Sequence, residues 1–157
     1  MKTQIGIDDK NRSGAARILD RVLSDEYVLL VKTKNYHWNV TGPDFDELHK
    51  FFDAQYGELS GFTDEVAERI RSLGETPAAT LAGFLKTAEV KESPGEKPKA
   101  SKMVENLLKD HEGIIRRLRA DLEACASEYK DMGTSDFLTG LMEKHEKMAW
   151  MLRSFLG

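Results

Sequence analysis

Cysteine is almost missing from this chain: Cys125 is the single one among 157 residues. A lone thiol closes no internal disulfide, and no cysteine cluster exists to hold zinc or an iron–sulfur group. Cys125 therefore reads as a small residue on a helix face. Long apolar runs are missing too, since none approaches the ~18 residues that a membrane-spanning helix needs. The opening stretch MKTQIGIDDKNRSGAA has no apolar core of signal-peptide length. Together these absences predict a cytoplasmic protein. A cationic excess is likewise absent. The formal net charge of −4 argues against a surface that coats DNA and suits small cations better. Neither an alternating strand pattern nor an internal repeat is present.

What remains is 40% hydrophobic and 32% charged, a balance that suits long helices with solvated faces. The length fits one domain spanning 1–157, with 1–12 expected as a flexible N-terminal segment. Four segments carry helical periodicity. The first runs from about Ser13 to Asn39, with Ala15, Ile18, Leu19, Val22, Leu29, Leu30 and Thr33 inward, until Thr41-Gly42-Pro43 breaks it. The second starts at Asp44 as N-cap and runs to Leu73, before Gly74 and Pro77. Its apolar positions are Phe45, Leu48, Phe52, Tyr56, Leu59, Phe62, Val66, Ile70 and Leu73. A small helix over Ala78–Thr87 precedes the charged loop VKESPGEKPKAS. The third helix spans Ser101–Tyr129, and Asp131-Met132-Gly133 ends it. Thr134 or Ser135 is expected to cap the fourth, whose inner residues are Phe137, Leu141, Met148, Leu152 and Phe155. Four long amphipathic helices and little else predict an all-α four-helix bundle, with a short extra helix in a long crossover between helices two and three.

The polar face of the second helix carries a pattern. His49, Asp53, Asp64 and Glu68 fall within ~100° of one another, in an arc centred ~130° from the apolar stripe. His49 and Asp53 are i, i+4 neighbours, as are Asp64 and Glu68, so each pair can grip one ion. Eleven residues separate Asp53 from Asp64, about 16 Å along a helix, so both pairs cannot share one metal on one helix. Two arrangements satisfy this. Either the pairs serve separate sites, or two copies of the helix lie antiparallel across a two-fold axis. The latter joins His49/Asp53 of one chain to Asp64/Glu68 of the other. Gly57, Ser60 and Gly61 sit near the midpoint of the arc and would allow close approach. Imidazole with carboxylates suits Fe(II), and zinc or manganese less distinctively. His37, ending the first helix, offers a further nitrogen. Trp38 beside it is an aromatic that can be oxidised or can shield the site.

The full spacing, H-x11-H-x3-D-x10-D-x3-E, lies in KNYHWNVTGPDFDELHKFFD followed by DEVAERIRSLGE. These stretches, and the order and length of the helices over the whole chain, resemble the Dps family of mini-ferritins. The resemblance implies a ferritin-like bundle assembled into a hollow dodecamer, with ferroxidase centres between two-fold-related subunits. It implies oxidation of Fe(II), with hydrogen peroxide as preferred oxidant, storage of the ferric mineral, and protection from oxidative damage. His37, His49 and Asp53 match the ligands from one subunit, Asp64 and Glu68 those from its partner, and Trp38 the tryptophan beside the centre. Zinc can stand in for iron at rest. Asp131 and Asp136 match an acidic pore for ion entry. Lys50 occupies the position where some relatives carry an acidic nucleation residue, so no nucleation site is carried over.

Three rivals are weighed against this reading. A larger ferritin builds its di-iron site inside one bundle with Glu-x-x-His, and no such motif occurs here. His111 and His145 are accordingly expected on helix surfaces or boundaries. A nucleoid-compacting DNA binder needs clustered cations. The N-terminal segment mixes Lys2, Lys10 and Arg12 with Asp8 and Asp9, and no tail follows Leu156-Gly157, so DNA binding is not expected. An inert helical scaffold would show no saturable iron oxidation.

Overall fold

Each periodic segment becomes a helix in the computed structural model, which describes residues 3–157. The elements are α1 (Asp9–Asn39), α2 (Phe45–Ser72), α3 (Leu81–Thr87), α4 (Ala100–Ser127) and α5 (Met132–Ser154), with no strand among the described residues. Among those residues, no helix is long and apolar enough to cross a membrane.

Helix α1 begins earlier than its apolar stripe. Asp8 accepts a hydrogen bond from the Asn11 amide at 2.8 Å, so the cap lies ahead of the first inward residue. The segment expected to be flexible over 1–12 thus includes a helical turn. Arg12 is buried and donates to the Thr3 carbonyl at 3.2 Å, while residues 1–2 lie outside the described part.

The helices pair as two antiparallel hairpins, α1 with α2 and α4 with α5, packed through α1–α4 and α2–α5. The pairings Lys32–Asp110 and Arg21–Asp121 run α1 against α4 in opposite directions, which makes α2 and α4 parallel. The crossover must therefore return along the bundle, and it does so over α1. Asp20 accepts from the Ala78 amide, Phe84 of α3 stacks on Tyr27 at 4.2 Å, and Lys32 donates to the Lys91 carbonyl. The central anchor is Asp25, only 2% exposed. Its Oδ1 accepts from the Glu89 and Val90 amides, and its Oδ2 pairs with Arg117 at 3.0 Å. Engagement of both oxygens is what makes burial of this side chain tolerable.

The core is built as the periodicity predicts. Leu19, Phe52, Leu59, Leu107, Leu118 and Leu152 are almost fully buried. Each such side chain contributes about 1.5–3 kcal/mol on leaving water. Cys125 is fully buried among them, and burial pushes its thiol up to about 12. Two predicted inner residues sit at helix ends instead. Phe45 and Phe155 are 45% exposed, packing on His49 and Phe51 respectively.

The α4–α5 corner differs from expectation. Helix α4 stops at Ser127, Lys130 adopts a positive φ of 55°, and α5 is already helical at Met132. Asp131 is the N-cap, accepting from the Thr134 amide at 2.9 Å and from the Thr134 hydroxyl. Thr134 and Ser135 are thus first-turn residues. The Asp-x-x-Thr cap outweighs the helix-breaking tendency of Gly133.

The larger correction concerns His111 and His145. Both are fully buried, as is Glu26, and all three lie inside the bundle rather than on its surface. His145 Nε2–H donates to Glu26 Oε1 at 2.8 Å, and the two imidazoles share a 2.9 Å Nδ1···Nδ1 hydrogen bond. Phe62 of α2 packs its ring 5.7 Å from His145. The partnership makes burial affordable: each polar group is chained to the next. Among the described residues, Glu26 Oε2 and His111 Nε2 have no partner.

Candidate metal centre

The α1–α2 corner is a tight reversal. Gly42 takes φ 118°, a left-handed value open to glycine, and the Phe45 amide bonds the Gly42 carbonyl at 3.2 Å. This brings the last turn of α1 against the first turn of α2. His37 and His49 meet there with rings stacked at 3.8 Å. Each locks the other. His37 Nδ1–H donates to the His49 carbonyl at 2.8 Å, and His49 Nδ1–H donates to the His37 carbonyl at 2.9 Å. A carbonyl only accepts, so both Nδ1 atoms carry hydrogen and both Nε2 lone pairs are left for a ligand.

Asp53 lies one turn beyond His49. Its Oδ1 stands 4.0 Å from His37 Nε2, a span that two metal–ligand bonds of ~2.1 Å can bridge with room to bend. The same oxygen accepts from the Tyr56 hydroxyl at 2.5 Å. That bond, then partial burial and the charge of Asp53, push the phenol above its usual range and keep it a donor. Lys50, next to His49, turns away to pair with Asp46 at 2.6 Å. Trp38 is 70% exposed at the end of α1.

Asp64 and Glu68 are exposed on α2 about three turns further on. The protomer therefore gathers His37, His49 and Asp53 and leaves Asp64 and Glu68 apart. Among the described residues, no group of three or more His, Cys, Asp or Glu side chains closes into a cage that could hold an ion. Between the two sets α2 is bare: a Cβ on Gly57 or Gly61 would meet nothing within 4 Å, and Ser60 is exposed.

The two expected pore residues part company. Asp131 is 1% exposed, capping α5 and pairing with Arg69 at 3.0 Å, whereas Asp136 is exposed on the first turns of α5. Reading Tyr56 as a core position missed its hydroxyl. The available signal was the i, i+3 spacing from Asp53, which places both groups on one face.

A ferritin-like domain family matches residues 16–157. A low temperature-induced protein of Nostoc sp. is 48% identical over 155 residues, covering 99% of this chain and 87% of that one. A DNA protection during starvation protein of Brevibacillus brevis is 40% identical, covering 90% and 93%. Among solved structures, a Dps protein from Bacillus brevis superposes with a TM-score of 0.90 at 37% identity, covering 96% of this chain and 100% of that one. Dps from Vibrio cholerae, described as a ferritin-like diiron-carboxylate protein, gives 0.92 at 32% identity, covering 100% and 98%.

Proposed function

Because the chain belongs to the Dps family of ferritin-like proteins, we propose that it is a mini-ferritin that oxidises Fe(II) and stores the ferric product inside a homo-oligomeric shell. The observation that carries this reading is the reciprocal His37–His49 lock, which leaves two imidazole Nε2 atoms free of backbone bonds, that of His37 standing 4.0 Å from the exposed Asp53 carboxylate. Such a set binds a divalent transition ion and leaves coordination positions open for oxidant. Iron is the substrate here, and the residues hold it rather than keep it.

Half a site does not retain iron well. Asp64 and Glu68 complete it when α2 of a second copy lies antiparallel across the bare stretch at Gly57, Ser60 and Gly61. His37, His49 and Asp53 of one subunit then face Asp64 and Glu68 of the other, twice per dimer. The added carboxylates favour Fe(III) as it forms. Hydrogen peroxide is the expected oxidant: it accepts two electrons, one from each of two Fe(II) ions, and its O–O bond breaks without releasing a hydroxyl radical. Trp38 stands beside the centre as an oxidisable aromatic. A dodecameric shell, a cytoplasmic setting and zinc as a resting occupant belong to the same reading. Asp136 is the carboxylate left for an acidic entry pore, since Asp131 already caps α5 and pairs with Arg69.

Anaerobic Fe(II) titration followed by peroxide tests the proposal. A saturable oxidation with two Fe(II) per peroxide is expected. Asp64→Ala with Glu68→Ala should abolish the fast phase while the shell still assembles. Mixing His49→Ala chains with Asp64→Ala chains should restore part of it, because some interfaces then combine two intact halves. Oxidation indistinguishable from protein-free buffer would refute the assignment.

A further inference from the structure

The carboxylate of Asp53 is 58% exposed on the surface of α2. An aspartate in that setting ordinarily moves between rotamers, and a wandering carboxylate is a poor ligand. Here its Oδ1 is held by the Tyr56 hydroxyl. The phenol is itself clamped by α1 from two directions. His37 meets the ring edge-on at 5.3 Å and 72°, and the Lys34 ammonium sits 4.9 Å above its face. Lys34 lies one turn before His37, so the helix that supplies a ligand also supplies the clamp.

We propose that Tyr56 is a positioning residue of the metal half-site: its hydroxyl holds Asp53 Oδ1 toward His37 Nε2, setting two donors an ion's width apart before any cation arrives. The proposal rests on reading His37, His49 and Asp53 as the metal-binding half-site. Two features fit the role. A carboxylate oxygen has two lone pairs, so Oδ1 can accept from the phenol and still face an ion. A phenol is also uncharged. An Arg or Lys in its place would fix Asp53 equally well while cancelling the charge that attracts the cation. The ring clamp keeps the hydroxyl on Asp53 rather than in water, and gives Lys34 a π-face to rest on.

Tyr56→Phe removes the hydroxyl and leaves both ring contacts. Anaerobic Co(II) titration of the assembled protein, followed through visible d–d absorption, reads occupancy and ligand geometry without turnover. Outer partners of ligands are worth tenfold or more in affinity, so Tyr56→Phe should bind Co(II) about tenfold more weakly, with a shifted band. His49→Ala serves as the reference and should lose that band. A His49→Ala protein with wild-type Co(II) binding would defeat the site reading itself. Loss in His49→Ala with unchanged affinity and spectrum in Tyr56→Phe would overturn the positioning role alone. Should Tyr56→Phe fail to assemble, Lys34→Met loosens the clamp with the hydroxyl intact. It should weaken Co(II) about two- to fivefold, and wild-type binding there would count against the proposal.

Discussion

Lowering the pH should weaken this bundle through His111, a residue inside the core rather than at the His37–His49 corner. Its burial, and the neighbouring His145, hold it well below its ordinary value of 6.5. Glu26 of α1 bonds His145 rather than His111, and α2 offers the ring of Phe62. The folded protein therefore keeps His111 neutral while the unfolded chain protonates it near 6.5. The unfolded state binds more protons below that value, so stability falls as pH falls. Integrated from pH 7.5 to 5.5, this single group removes about 1.4 kcal/mol. His111→Asn isolates the term. An amide can donate to or accept from His145 Nδ1 and does not titrate in this range. Urea denaturation of both proteins at the two pH values, at fixed protein concentration, measures the difference. The wild type should lose about 1.4 kcal/mol more than His111→Asn. Equal losses would mean that His111 is charged in the folded bundle, or that water reaches it, and the reasoning would fail.

Asp25→Ala should cost about 3–5 kcal/mol in urea unfolding, because it strands two crossover amides and leaves Arg117 with its longer contact to Glu89. Asp131→Ala should cost about 1–2 kcal/mol through loss of the α5 cap, and the proposed Fe(II) oxidation should survive it. Cys125 should resist a thiol-specific disulfide reagent at pH 8 in the folded protein and react once in denaturant, since its thiol is buried and raised to about 12. In a gel shift at physiological ionic strength, DNA should run free, since few cations cluster; retention would revive the DNA-binding reading.

The bundle was legible because apolar spacing alone sets which face of a long helix turns inward. Leu19, Phe52, Leu107 and Leu152 follow it without exception. The arc of His49, Asp53, Asp64 and Glu68 was legible for the same reason, since it departs from that spacing. Burial of His111, His145 and Glu26 was not. Polar residues inside a helix read as solvated until their partners are known, and these partners come from three different helices. Tyr56 sat on a boundary between faces, where an amphipathic side chain shows its apolar ring to the pattern and hides its hydroxyl. The α5 start was misplaced because Gly133 looks like a terminator, while Asp131 caps it from one side-chain length away.

The turn between α1 and α2 carries an unusual restriction. Surface connections normally tolerate added or deleted residues. Here the two imidazoles and the two carbonyls they bond all sit within a turn of the reversal. One residue inserted near Gly42 would have to be absorbed without moving α2 against α1, because a shift of about 1 Å would stretch both bonds beyond hydrogen-bond length together. The length of this short loop is therefore tied to the paired His37 and His49 hydrogen bonds, and change in it is expected in composition rather than in length.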